Sequence, residues 1–354
     1  MGSIAFLLPY VLVAAALAGL AVLRAWEVFD AKVDLLLAIC LAFVAAIVAG
    51  TANLGTDTLS YSQYYSGLAI SGPRFNWWEP GFSTLAWLFA MLGAPYGAFV
   101  FACVLASHLI KLHVFNHLLF NRLLAFFIVF CLSVGEIAFV RQYLAASLIL
   151  LAYHLLYRHK PVSAMLSILI AALFHKTALV AGVVVIMVFY GLRTFKPLLI
   201  FAVCSAAILL VVPGNLKQAI VNRVEFQIAS YVVEEFVQGL GSDRVALFRN
   251  ISKFASYLAF SAWMLLLPVK SKAERAQGGS GRVVIVMSMM SIALIAFVSP
   301  VFARMSTFVF PFLALCVRGE RFRPYASQFA GQYAASLLLI LNLGVSIYSL
   351  APYF

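Results

Sequence analysis

The sequence predicts an all-α, polytopic integral membrane protein with about 10–12 transmembrane helices, some of them short, broken or re-entrant. Three observations predict it. Of the 354 residues, 65% are hydrophobic and only 10% charged, and mean hydropathy is +1.04. A soluble domain is about half apolar and a quarter charged, so the polar surface here is too small to cover a water-soluble globule of this length. The apolar residues also fall into runs of bilayer-spanning length, separated by short basic connections. A soluble single-domain enzyme, a disordered chain and a nucleic-acid-binding protein are excluded as primary readings. The net charge of +12 then reports on the sidedness of membrane loops, and no nucleic-acid partner is expected.

A helix needs about 20 apolar residues to cross the hydrocarbon core. Runs 4–23, 33–50, 137–157, 251–268, 283–299 and 329–350 meet this directly. The first has no basic residue before it and no small-residue cleavage site after it, so it reads as a span and not as a signal peptide. Runs 81–110, 119–135, 162–174, 177–192, 197–212 and 305–317 are less regular, which makes twelve crossings if every one spans. The 81–110 run is interrupted at Gly93-Ala94-Pro95, and the segments around 81–93 and 162–192 are candidates for re-entrant hairpins. Irregular backbone at membrane depth survives only where protein or a water-filled cavity covers it, so these interruptions predict a central cavity. Residues 1–354 read as one membrane domain, with neither a solenoid repeat nor an inverted transporter repeat.

Assigning the connections alternately puts fifteen of the 24 Lys and Arg residues on one side, among them Arg24, Lys32, Lys111, Arg122, Arg158 and Lys160. The positive-inside rule makes that side cytoplasmic and places both termini opposite. The two long connections, 51–80 and 213–250, then lie outside, the second with the charge pattern of an amphipathic surface helix, which reads as a solvated face or as a lid. Residues 269–282 form a soft cytoplasmic linker with a Gln-Gly-Gly-Ser-Gly run. Asp57, Glu79 and Glu136 fall outside, so chemistry is expected to face outward. The five cysteines stand singly in apolar runs and read as small core residues.

The first outer connection carries Asp57, Tyr61 and Tyr65, then Trp77-Trp78-Glu79-Pro80-Gly81-Phe82. Aromatic faces cover the apolar side of a pyranose, and carboxylates accept hydrogen bonds from its hydroxyls. The alternatives are an interfacial aromatic belt for the tryptophans and a helix N-cap for Asp57. Arg141 sits inside an apolar helix, where a charge is costly and faces a cavity or a partner. It reads either as the ion-pair partner of Glu136 or as a phosphate clamp, because a guanidinium fork matches phosphate oxygens. His175-Lys176-Thr177 forms an outer hairpin tip, where the histidine is a general base, a phosphate donor or a structural residue. Arg304 stands at a third outer tip, and the three tips together would surround an anion. His113 and His117 are four apart with His108 nearby, a metal-compatible spacing, but no carboxylate or thiol is close and no metal is expected. Walker, GxSxG and HExxH motifs are absent.

Taken in order, these elements resemble the EpsG/Wzy-like family of bacterial exopolysaccharide and O-antigen polymerases. The residues that carry the resemblance are Asp57, Tyr61 and Tyr65; Glu79-Pro80-Gly81-Phe82; Val140-Arg141-Gln142 with Ala145; Phe174-His175-Lys176-Thr177-Ala178; and Arg304 ahead of Phe308 and Phe310. The resemblance covers about residues 45–317, most of the chain. Many members place Ser or Thr directly after the histidine, whereas here Lys176 intervenes before Thr177.

The resemblance implies a glycosyltransferase of the bacterial cytoplasmic membrane, working at its periplasmic face without cofactor or metal ion. It would move a glycan repeat unit from undecaprenyl diphosphate onto a second lipid-linked unit, with a chain-length-regulating copolymerase as a further partner. Arg141, Arg304 and Lys176 would hold the diphosphate, and Asp57, Glu79 and His175 would be catalytic. Tyr61, Tyr65, Trp77, Trp78 and Gln142 would hold sugar. A lipid-linked oligosaccharide flippase fits a charged cavity between broken helices equally well, but an inverted repeat is missing. An acyltransferase acting through His175 needs an acidic partner, and none follows within the hairpin.

Overall fold

A computed structural model describes residues 2–25, 28–51, 56–73, 79–118, 122–133 and 140–190, together with Phe308, Pro311 and Phe312. Among these residues every regular element is a helix: α1 Gly2–Ala25, α2 Ala31–Thr51, α3 Thr56–Ser71, α4 Pro80–Met91, α5 Tyr96–Leu118, α6 Arg122–Ser133, α7 Val140–Tyr157, α8 Pro161–Phe174 and α9 Ala178–Tyr190. The protein is an all-α membrane protein, as its composition predicts. The expected spans 197–212, 251–268, 283–299 and 329–350, the 213–250 lid and the 269–282 linker lie outside the described residues, as does most of 305–317.

The packing is inverted relative to a soluble bundle. In α2 the buried stripe is Ala38, Ala42, Ala45, Ala46 and Ala49, while Leu36, Ile39, Phe43, Val44 and Ile47 are exposed. Helix α8 buries Ala164, Ser167, Ile168 and Ala171 and exposes Val162, Met165, Leu166, Leu169, Ile170 and Leu173. Small residues let helix backbones approach, and large apolar ones face a solvent as apolar as themselves; this is how helices associate in lipid. Gly50 of α2 and Gly97 of α5 let their helices come close: a Cβ on Gly97 would lie 2.3 Å from the Gly50 carbonyl oxygen. Helices α2 and α5 are each long and apolar enough to cross a bilayer. Helices α8 and α9, with 14 and 13 residues, are shorter than the span length of about 17–25 residues.

The two ends of the bundle are chemically distinct. At one end α1 finishes, α2 and α6 begin, and the buried Asp34 carboxylate draws the three together. Arg122 donates to it at 3.0 Å, and the Arg24 Nε lies 3.9 Å away. Asp30 accepts the Lys32 and Val33 amides at 2.8 and 2.9 Å and so caps α2. At the other end, α2 finishes against the start of α5, and α3 and α4 come between them in sequence. This corrects the expected 81–110 span. The crossing helix is α5, and α4 is a separate half-helix of 12 residues. Gly93, at φ +69°, makes the break, and Pro95 precedes α5. Phe82 and Phe89, from the two ends of α4, both pack on Phe99 in the first turn of α5, at 5.4 and 5.7 Å. A second correction concerns Lys111, expected in a basic loop. It is fully buried in α5, 3.3 Å above the Tyr143 ring, and donates to Ser107 Oγ at 3.0 Å.

Candidate functional site

The site begins with a proline. Pro80 at the first position of α4 forbids helical geometry to the residue before it, so Glu79 is extended, at φ −63° and ψ 139°. Its carbonyl accepts the first helical bond, from Ser83 N at 2.9 Å. Its carboxylate makes no cap bond and is therefore directed elsewhere. Gly81 fixes where: a Cβ there would lie 2.8 Å from Leu173 Cβ and 2.9 Å from the Leu173 carbonyl oxygen. The start of α4 is thus pressed onto the end of α8. The hydroxyls of Tyr64 and Ser83 share a hydrogen bond that ties α3 to α4.

Arg141 lies in the first turn of α7, where the positive end of the helix dipole disfavours a cation. Its side chain is 16% exposed and its partner Glu79 9%. Three partners offset that placement. Arg141 Nη1 donates to Glu79 Oε2, while Nε and Nη2 donate to the Tyr61 hydroxyl oxygen at 3.1 and 2.9 Å. The guanidinium carbon also stands 5.0 Å from the Tyr61 ring centroid and 5.5 Å from that of Phe82, within cation–π range. Tyr61 and Phe82 pack on each other at 5.6 Å.

The third member comes from the α8–α9 hairpin. His175 ends α8 in extended geometry, with its amide donating to Ala171 at 2.9 Å and its carbonyl accepting from Ala178 at 2.9 Å. Its Nδ1 faces Glu79 Oε1 at 3.6 Å and Thr177 Oγ1 at 3.2 Å. Phe308 covers the ring at 6.2 Å, edge to face. One carboxylate therefore lies between a guanidinium and an imidazole, on three elements separated by up to 96 positions in sequence.

The sequence-derived candidates divide into groups. Glu79, Arg141, His175 and Tyr61 meet in the constellation just described. Gln142 is buried in α7, and Lys176 is exposed at the hairpin tip. Tyr65 is buried; its hydroxyl donates to the Ala94 carbonyl at 2.7 Å and its ring packs on Tyr96 and Phe99 at 5.6 and 5.7 Å. That places it as an anchor of the α4–α5 turn. Asp57 is in the first turn of α3, but its side chain lies outside the described residues, as do Trp77, Trp78, Arg304 and Glu136. The Glu79–Arg141 pairing gives Arg141 a carboxylate partner from another element. It also supplies the acidic partner for His175 that the hairpin itself lacks.

A carboxylate, a guanidinium and an imidazole thus gather at one end of the bundle of an all-α membrane protein. The chain belongs to the EpsG family, whose model matches residues 34–343, most of its length. Membership points to a polysaccharide-polymerase type of role. No curated protein and no solved structure matches the chain.

Proposed function

We propose that the protein is a metal-independent polysaccharide polymerase that joins undecaprenyl-diphosphate-linked repeat units at the outer face of a bacterial cytoplasmic membrane. The observation that carries this reading is the Glu79–Arg141–His175 constellation. A charged cluster in so apolar a bundle is a functional candidate, and membership of the EpsG family supports a polysaccharide-polymerase type of role for it. In the reaction, the bond between the anomeric carbon and the diphosphate oxygen breaks, and a bond from that carbon to an acceptor hydroxyl oxygen forms. The hydroxyl proton passes to a base, and the electron pair leaves with undecaprenyl diphosphate. Arg141, preorganised by Tyr61 and Glu79, stabilises the charge that develops on the diphosphate. Arg304 and Lys176 extend that clamp. Glu79 orients His175 through Nδ1, leaving the Nε2 edge directed away from the carboxylate and suited to take the acceptor proton. Asp57 is the alternative base. Trp77, Trp78, Tyr61, Tyr65 and Gln142 frame the sugar-binding region, and a copolymerase would set chain length.

The His175–Glu79 contact also favours a second reading, a glycan acyltransferase acting through His175. A flippase remains the transport alternative. Complementing a deletion strain with Arg141→Ala separates the three. The polymerase reading expects loss of long glycan and accumulation of single lipid-linked repeat units on the outer leaflet. Accumulation on the inner leaflet would instead identify a flippase, and full-length polymer lacking one decoration an acyltransferase.

A further inference from the structure

At the opposite end of the bundle, three imidazoles converge from two helices. His113 and His117 lie one turn apart on α5, and His154 reaches them from α7. Ring centroids are 4.7 Å apart for His113–His117, 5.2 Å for His117–His154 and 5.8 Å for His113–His154. One nitrogen from each ring lies within 4.8 Å of the other two. Around a tetrahedral zinc ion with Zn–N bonds of about 2.0–2.1 Å, ligand nitrogens sit roughly 3.3 Å apart, so small rotations of the rings close the site.

Two details favour a ligand over a chance cluster. The His117 Nδ1 lies 2.8 Å from the His113 carbonyl oxygen, which can only accept, so Nδ1 carries the proton and Nε2 the lone pair. A backbone carbonyl holding the far ring nitrogen is the usual second partner of a metal-bound histidine. The second detail is His154, which is 4% exposed and whose Nδ1 is buried without a hydrogen-bond partner among the described residues. A buried polar atom left in that state is costly, and a metal ion that draws the ring into coordination would relieve it. Arg158, one turn beyond His154, is a cation on the same helix, and its exposed side chain can extend away from the cluster.

We propose that His113, His117 and His154 form a site for a late first-row divalent cation, with Zn²⁺ the best fit, that clamps α5 to α7. Three imidazoles suit zinc, and the fourth position stays open to water or to a ligand from another segment. The site is independent of the proposed polymerase chemistry. His154 lies thirteen residues from Arg141 along α7, about 20 Å at 1.5 Å per residue.

The test uses full-length protein purified through a tag without histidines, in detergent, titrated with Zn²⁺ and separately with Co²⁺. The expected result is one tightly held zinc per chain and the intense visible absorption of tetrahedral Co²⁺. Both should weaken in His154→Gln by more than the 10–100-fold, or thereabouts, that loss of an outer-shell partner alone produces. If His154→Gln disturbs folding, the double variant His113→Gln/His117→Gln, at two exposed rings, decides. His159→Asn, outside the cluster, should bind as wild type. Zinc stoichiometry and affinity unchanged in the double variant, or wild type binding no better than the triple variant His113→Gln/His117→Gln/His154→Gln, would overturn the proposal.

Discussion

Replacing Glu79 by Gln keeps the shape of the side chain and removes its charge, leaving Arg141 buried at the positive end of α7. Removing one member of a buried ion pair costs about 3–5 kcal/mol, because the other charge stays desolvated. Arg141 is 16% exposed and keeps Tyr61 and two aromatic faces, so a loss of roughly 2–4 kcal/mol is expected. The double variant Glu79→Gln/Arg141→Met removes both charges and fills the space with apolar atoms; it should lie within about 1–2 kcal/mol of wild type. The coupling should then fall near the upper part of the 0.5–3 kcal/mol range, approximately, seen for contacting residues. The assay is reversible unfolding in mixed micelles, followed by circular dichroism for wild type, both single variants and the double. Single-variant losses that simply add in the double would show that the pair is not coupled, and the preorganised clamp would fall with it.

Other consequences follow from single contacts. Gly81→Ala should push α4 off α8, since the new methyl would meet Leu173 at 2.8 Å. An overpacking cost of about 1–3 kcal/mol and loss of polymer are expected, and Leu173→Ala should not rescue, because alanine keeps the Cβ and the carbonyl that the methyl meets. Gly19→Ala, which meets nothing within 4 Å, should be silent by the same measurements. Tyr65→Phe removes the bond to Ala94 and should cost roughly 1 kcal/mol in the unfolding assay. The Val33 and Lys32 amides hold the Asp30 carboxyl below its usual range. Its cap on α2 is therefore fully present above the ordinary carboxylate pKa and is lost as pH falls through the lower folded value. Protection of the Val33 amide, taken relative to its intrinsic exchange rate at each pH, should fall only under those acidic conditions, and Asp30→Asn should remove that fall.

Helices with strong local signals were legible in sequence. Runs 33–50 and 162–174 sit within one or two residues of α2 and α8, because Asp30 and Pro161 mark their starts and the apolar runs fix their lengths. The break at Gly93-Ala94-Pro95 was visible, yet hydropathy could not show that the half before it packs on the first turn of α5. That depends on Phe82 and Phe89 both finding Phe99. Arg141 stood out as a costly charge, but its partner did not. Glu136 is five residues away, whereas Glu79 is 62 away and arrives only because Gly81 seats α4 on α8. Lys111 looked like a loop cation because α5 continues to Leu118, seven residues past it. His154 carries no spacing signal of its own. The available clue was sidedness, since His113, His117 and His154 all fall late in helices that run in the same direction.

The most direct test of the central claim is reconstitution of the purified full-length protein in proteoliposomes with lipid-linked single repeat units. The readouts are glycan length and release of undecaprenyl diphosphate. The account predicts that wild type lengthens the glycan and frees one undecaprenyl diphosphate per bond formed, and that Arg141→Ala does neither while still inserting and folding. Intact single units after incubation with wild type, or equal polymerisation by Arg141→Ala, would contradict it.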